Sequence, residues 1–520
     1  MRKLVPYFIF AAAWILYFLP FFRLLPGNGD EGTLITGASR VAEGQLPFRD
    51  FFEVMGPGTF YWLAGFFKVC GEAWLTTRVC LLVTTLSITL LVLYLARRLN
   101  GSIGVATVIF FVAVSYHQWN AISHHMDSNL WGLLAFVGLV NWIDRRRSYW
   151  LFLAGAGAGL TTWFMLPKGV FLGLAFAILL WIFDRKESRF WSSLCKLAGG
   201  YLLVMAAGLS WFWLAGGLSH LIYANLIWPL TQYGDVNVVP YGLEFRELYW
   251  KAFTTAFGAV LSPWAAISIS SFLSVPLVIL MGLPVVLLAF ALRYRGRAFE
   301  RVTLPYWVAG VAFWLSEMHR KDVAHMAYGS PLLIILAFYF VSRLQSKWFR
   351  NAQQLIMAAA VTLAMLNPLV SLAASHKVVT RRGTFYSSHP DNPVLDFIDA
   401  HVAPGGQVFI YPYAPQFYFL SAVKNPTRYS IFMGGYNTEA QFQELVQSLE
   451  QKKVRYVVWD RSFPIWVKTW FPAYRPLPPG KEIVATYLTE HYRVIGGSDS
   501  DFQFLERKES TTSSAIPVQP

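Results

Sequence analysis

Along this chain, long apolar runs alternate with short polar breaks, and most runs have the length of a membrane-spanning helix, about 17 to 25 residues. Eleven such runs are read, at about 4–22, 74–96, 102–118, 127–143, 149–166, 169–183, 196–215, 273–292, 303–318, 326–342 and 354–374. A further apolar stretch, about 251–268, reads as a helix that lies at the interface or re-enters the membrane. After about residue 375 the pattern turns to that of a water-soluble fold. "QVFIYPY" and "VRYVVWD" read as buried strands, and "NTEAQFQELVQSLEQKK" as an amphipathic helix opened by a capping box, Thr438 with Gln441. The pattern therefore predicts a polytopic α-helical membrane region over 1–375 and a small α/β domain over 376–507. The tail 508–520 has no apolar period and is expected to be disordered.

Composition agrees: 55% of the 520 residues are hydrophobic and only 14% charged, outside the range of soluble domains. Charge adds an orientation, because Lys and Arg clusters are retained on the cytoplasmic side. Arg2/Lys3, Arg97/Arg98, Arg145–Arg147, Arg185/Lys186/Arg189, Arg293/Arg295/Arg297 and Arg343/Lys347/Arg350 fall on alternate span ends. That places the N-terminus inside a bacterial-type cytoplasmic membrane and the C-terminal domain outside. The net charge of +14 follows from this topology and from anionic headgroups, so no nucleic-acid partner is implied. No small-residue cleavage site follows the first apolar run, which reads as a membrane helix and not a cleaved signal. Cys70, Cys80 and Cys195 are too few and too scattered for a disulfide framework or metal cluster, and read as packing residues.

Polar residues that are not orientation markers collect at the other, outer ends of the spans. The first outer loop, 26–73, holds Asp30, Glu31, Arg49, Asp50 and Glu53; later outer ends hold His124, His125, Asp127 and Lys168, then Glu317, His319, Arg320, Lys321, Asp322 and His325. Charges at membrane depth face one another or a cavity, so one outward-facing, mixed-charge site is expected. Carboxylates there can orient or deprotonate an attacking hydroxyl, and cations can hold a phosphate leaving group.

The same residues carry a family resemblance. Asp30-Glu31 soon after the first span, followed by Gly44-x-x-Pro47-Phe48-Arg49-Asp50-Phe51, resembles the first outer loop of the GT-C glycosyltransferases related to protein O-mannosyltransferases and lipid A aminoarabinose transferase. "FFEVMGP" is similar to the mannosyltransferases' Phe-Phe-Asp-Val-His-Pro-Pro, with Glu53 at the Asp, Met55 at the His and Gly56 at the first Pro. "GLTTWFMLPKG" looks like the family's Gly-Leu-rich segment ending in Lys. The resemblance covers most of the membrane region and is weak over the C-terminal domain.

It implies a GT-C fold and a multi-pass enzyme that moves a sugar, with inversion, from a polyprenyl-phosphate carrier to a lipid, glycan or protein acceptor outside the membrane. Asp30 would be the general base, with Glu31 and Glu53 shaping its site; Lys168 and Arg320 would bind the donor phosphate, with Arg49, Asp50, Asp127, His319 and His325 lining the substrate site. Plainer readings stand beside these. Asp30 can cap a helix starting at Thr33, Arg49 and Asp50 can pair across a turn, Lys168 can snorkel from a helix end, and "HRKD" can be a loop of screened pairs. No cofactor is firmly implied. His124 and His125 invite a metal reading, as a hydrated or carboxylate-bound divalent ion, but adjacent histidines diverge on a helix and no Cys or i, i+4 partner completes a set. Trp119, Trp228, Tyr233 and Tyr241 lie on outer segments where a sugar can stack. The alternative function is a transporter or lipid-linked-sugar flippase, although the span centres lack the charges such proteins place at midplane.

Overall fold

The computed structural model describes residues 5–24, 29–115, 121–185, 189–294, 296, 300–344, 346–373, 376–387, 392–477 and 482–509. Trp119, and the predicted tail from 510 onward, lie outside them.

Each of the eleven predicted runs falls on a helix, in order Val5–Phe18, Trp74–Leu99, Gly104–Val114, His124–Arg145, Tyr149–Phe164, Leu166–Asp184, Phe190–Leu214, Pro263–Arg293, Leu304–Glu317, the pair Val323–Gly329 and Pro331–Ser342, and Lys347–Ala373. Five described helices are long and apolar enough to cross a membrane, or six when the pair bent by 72° counts as one span. The chain is thus a multi-pass membrane protein. The apolar stretch expected to be one interfacial helix is split: Lys251–Gly258 ends before Ser262, and residues from Pro263 onward open the 31-residue helix to Arg293.

The helices are built for lipid. Phe8, Ile9, Leu203, Trp213, Val285 and Leu288 face outward and are exposed, whereas Thr76, Thr84, Thr85 and Thr89 of Trp74–Leu99 are buried. With no hydrophobic drive between helices in hydrocarbon, association rests on close packing and internal polar contacts. Gly155 and Gly200 show how close: a Cβ on either would sit about 2 Å from a carbonyl oxygen of the facing helix, Leu197 or Phe152. Ends predicted to share one side do meet, through Arg98–Asp144 at 2.5 Å and Arg146–Asp184 at 2.6 Å. Of the cysteines only Cys80 is buried; Cys70 and Cys195 are exposed and so do not serve as core packing.

The C-terminal domain has a hairpin, His376–Thr380 with Gly383–Ser387, and a four-stranded mixed sheet. Phe409–Tyr411 runs parallel to Tyr456–Asp460, which pairs antiparallel with Phe502–Arg507, and that strand with the edge strand Tyr492–Gly497. Helix Glu439–Gln451 carries the predicted capping box and turns Phe442, Leu445 and Leu449 inward. The domain is joined to the loop 26–73 by a backbone hydrogen bond from Phe52 N–H to Arg428 O and to the start of helix Trp74–Leu99 by one from Trp74 N–H to Arg382 O, both 2.7 Å. A buried amide must find an acceptor, so these bonds fix the domain on the bundle.

Candidate active site

Helix Gly29–Ala42 begins before Thr33, so Asp30 lies within its first turn instead of capping it. Two acidic residues there suit the positive end of the helix dipole. Consecutive residues point in different directions, and the two diverge in environment. Asp30 is exposed and accepts a hydrogen bond from the Tyr413 hydroxyl at 3.0 Å; that hydroxyl also lies 3.3 Å from Thr33 Oγ1. Glu31 is buried, paired with the buried Arg78 and bonded by the Ile122 N–H at 2.8 Å. It ties helix Gly29–Ala42 to Trp74–Leu99, whereas Asp30 stays exposed. Arg78, four residues inside a predicted span, was the sequence signal for this tie.

Glu53 is buried, with Oε1 lacking a hydrogen-bond partner. Burial pushes its carboxyl from the ordinary 4.5 to about 8, against opposing contributions from a Ser430 hydrogen bond and the Arg40 charge; the Asp30 charge pushes the same way as burial. Gly56, after it, lets the loop touch the second motif segment: a Cβ there would lie 2.5 Å from Trp163 O. Trp228, Tyr233 and Tyr436 form an aromatic group nearby, with ring centroids 4.5 to 6.0 Å apart. The charges of Asp30 and Glu53 both raise the Tyr436 phenol, although burial raises it most. Trp228 is fully buried and is wall, not platform, while Tyr241 donates to Met281 O at 2.5 Å. Tyr413, Ser430 and Tyr436 come from the C-terminal domain, whose part in the site was not apparent from the sequence.

Arg49 and Asp50 form a two-pronged pair at 2.8 Å, and Asp50 also accepts from the Leu46 N–H at 2.7 Å. They fold the loop, as the plainer reading has it. Asp127 is buried and accepts from Thr59 at 2.8 Å and Thr84 at 3.4 Å, joining three helices.

Lys168 neither snorkels nor faces an open phosphate site: it is fully buried, with Nζ 2.6 Å from Glu317 Oε1, 2.7 Å from Asn129 Oδ1 and 3.0 Å from Ser128 Oγ. The other oxygen of Glu317 lies 2.8 Å from His125 Nδ1. Arg320 is also enclosed, bonded to Asp322 at 2.6 Å, to Asn237 at 2.9 Å and to the Trp470 carbonyl. The two cations therefore end on separate protein acceptors and do not share one phosphate pocket. Asp322 holds His325 Nδ1 at 2.7 Å, and His319 Nδ1 sits 3.2 Å from Ser316 O.

His125, Glu317 and His325 bring one ligand atom each within 4.8 Å of one another. The partners that adjacency of His124 and His125 denied come from another part of the chain. Two nitrogens and one carboxylate oxygen are a donor set for zinc-like ions more than for a hydrated hard cation.

The sequence matches no protein-family model and no curated protein sequence. Solved structures do match. ArnT from Cupriavidus metallidurans bound to undecaprenyl phosphate superposes with a TM-score of 0.58 over 98% of this chain and 98% of that one, at 12% identity. The archaeal oligosaccharyltransferase AglB from Archaeoglobus fulgidus, in complex with an inhibitory peptide and a dolichol-phosphate, gives 0.53 over 99% of this chain and 75% of that one, at 12% identity. At such identities it is the fold that is shared, and it is the GT-C fold that the outer-loop motifs resemble.

Proposed function

We propose that this chain is a membrane glycosyltransferase that takes a sugar from a polyprenyl-phosphate carrier and transfers it, with inversion, to an acceptor on the extracytoplasmic face. The observation that carries the reading is Asp30: an exposed carboxylate held by Tyr413, beside the buried Glu53, in a fold shared with a carrier-phosphate-bound ArnT. In this reading the chain crosses a bacterial-type cytoplasmic membrane eleven times with its N-terminus inside, residues 1–375 form the transferase body, and 376–507 close the site from outside.

Asp30 accepts the proton of the attacking group, or orients it, at the face of the sugar opposite the carrier phosphate. Glu53, protonated at neutral pH, contributes a hydrogen-bond donor and spares Asp30 a second negative neighbour. Charge that develops on the departing phosphate is met by N–H donors at the end carrying His319 and His325, with Arg320 behind them on its protein acceptors, where a low dielectric strengthens each interaction. Lys168 acts at one remove, by holding Glu317 beside His125. Where a metal is bound, His125, Glu317 and His325 hold it, and it would supply positive charge to the same end of the site. Nothing in the fold favours the transporter alternative.

Asp30→Asn tests the assignment. An exposed carboxylate changed to its amide leaves folding intact, so the melting temperature should hold while transfer from a polyprenyl-phosphate sugar drops about 10²-fold or more. Full activity of the purified variant in nanodiscs would remove Asp30 from the mechanism.

A further inference from the structure

A cavity of about 650 Å³ lies between helix Gly29–Ala42 and the C-terminal domain, on the side of Thr36, Ser39 and Arg40. Neither Asp30 nor Glu53 lines it. Five cations line it, Arg40, Arg382, Lys424, Arg428 and Lys452, against three carboxylates, Glu43, Asp50 and Glu444. The carboxylates are largely committed. Asp50 is gripped by Arg49 at 2.8 Å, Glu43 lies 3.4 Å from Lys424, and Glu444 accepts from the Tyr429 hydroxyl at 2.5 Å with Arg428 at 3.9 Å.

Two of the cations end on neutral oxygens. Arg40 bonds Gln45 Oε1 at 2.7 Å, the Asp50 carbonyl at 2.9 Å and the Thr427 carbonyl at 3.4 Å, and Lys452 bonds the Pro426 carbonyl. Neither has an ion-pair partner among the described residues. They are near enough that the Arg40 charge, after burial, helps to depress the Lys452 ammonium. The Nε atoms of Arg382 and Arg428 are buried without an acceptor. Like charges brought together beside unpaired donors cost stability unless an anion is to be bound.

We infer that this cavity is a binding site for a phosphate monoester. The lining carries an excess of two positive charges, which matches the roughly −1.5 to −2 that such a group bears at neutral pH. The Nε–H groups of Arg382 and Arg428 are left to donate to its oxygens. The walls come from both helix Gly29–Ala42 and the C-terminal domain, so ligand binding draws the two together. A phosphorylated glycan and a phosphomonoester lipid headgroup offer the same chemistry.

The test uses the full-length protein in phosphatidylcholine nanodiscs, titrated with inorganic phosphate against chloride at equal ionic strength. Phosphate should bind and raise the melting temperature, and Arg40→Gln and Lys452→Met should each weaken binding about 10-fold or more. If Arg40→Gln fails to fold, the exposed Lys452 decides alone. No binding, or equal binding by the Lys452 variant, overturns the site. Displacement of phosphate by a soluble sugar phosphate assigns the site to a glycan; displacement only by phosphatidic acid in the disc assigns it to a lipid. Binding is read without any transfer reaction, so its failure and that of the transferase reading are separable.

Discussion

Glu53 and Glu317 are both buried carboxylates on the same side of the molecule, and they are held in opposite ways. Glu317 has a cation at one oxygen and an imidazole at the other, Lys168 at 2.6 Å and His125 at 2.8 Å. Glu53 has one hydrogen-bonding oxygen, one without a partner, and no contacting cation among the described residues. One carboxylate is balanced by ion pairs; the other is raised toward its protonated form by burial. The first arrangement is fixed by charge, the second by burial. The Asp30 charge acts on the second.

The largest effect is expected at Lys168. Removing one member of a buried pair strands the other, so Lys168→Met should destabilise the protein by roughly 3–5 kcal/mol, and Glu317→Gln added to it should recover part of the loss. Thermal unfolding in detergent reads both. A Lys168 variant with normal stability would mean that Glu317 is not held as the geometry has it.

At Glu53 the corresponding effect depends on pH. The Glu53 carboxyl is raised from 4.5 to about 8 in the folded chain, so across that interval the folded state keeps a proton that the unfolded state has lost. Stability then declines as pH rises through the interval, by on the order of a few kcal/mol, and levels off above it. Glu53→Gln should flatten this slope, measured as melting temperature from pH 5 to 9. An unchanged slope would assign the dependence to other groups.

The surroundings of Glu317 are tested further with metal. Zinc titrated into the apoprotein should bind, and His125→Ala should weaken binding at least about 10-fold while Arg49→Ala leaves it alone. Equal affinity in the His125 variant would exclude the His–Glu set. The smallest effect is expected at Arg49 itself. Its pair with Asp50 is exposed, so Arg49→Ala should cost no more than about 1 kcal/mol in unfolding experiments.

Much of the architecture was legible from the sequence because it is local. Apolar runs mark the helices, Thr438 with Gln441 marks a helix start, and "QVFIYPY" and "VRYVVWD" mark two adjacent strands. The hairpin Tyr492–Arg507 escaped because its edge strand is mostly exposed and lacks clean alternation. The motifs single out Asp30 and Glu53 as candidates, but not what distinguishes the surroundings of Asp30 from those of Glu31. That distinction rests on Arg78 and Tyr413, partners that lie 47 and 383 residues away. The same distance hid the true partner of Lys168, a glutamate on another helix. Side-chain pairing across a bundle leaves no period in the sequence.

The bond between Tyr413 and Asp30 also sets an order of events in time. As the chain is made from its N-terminus, the segment carrying Asp30 emerges early and lacks Tyr413 until 383 further residues have been synthesised. Domains fold as units as they appear, so the carboxylate centre remains unassembled through membrane insertion and becomes complete only when the last domain docks. A ribosome-bound or prematurely terminated chain ending before residue 413 would carry Asp30 without the Tyr413 hydroxyl that holds it.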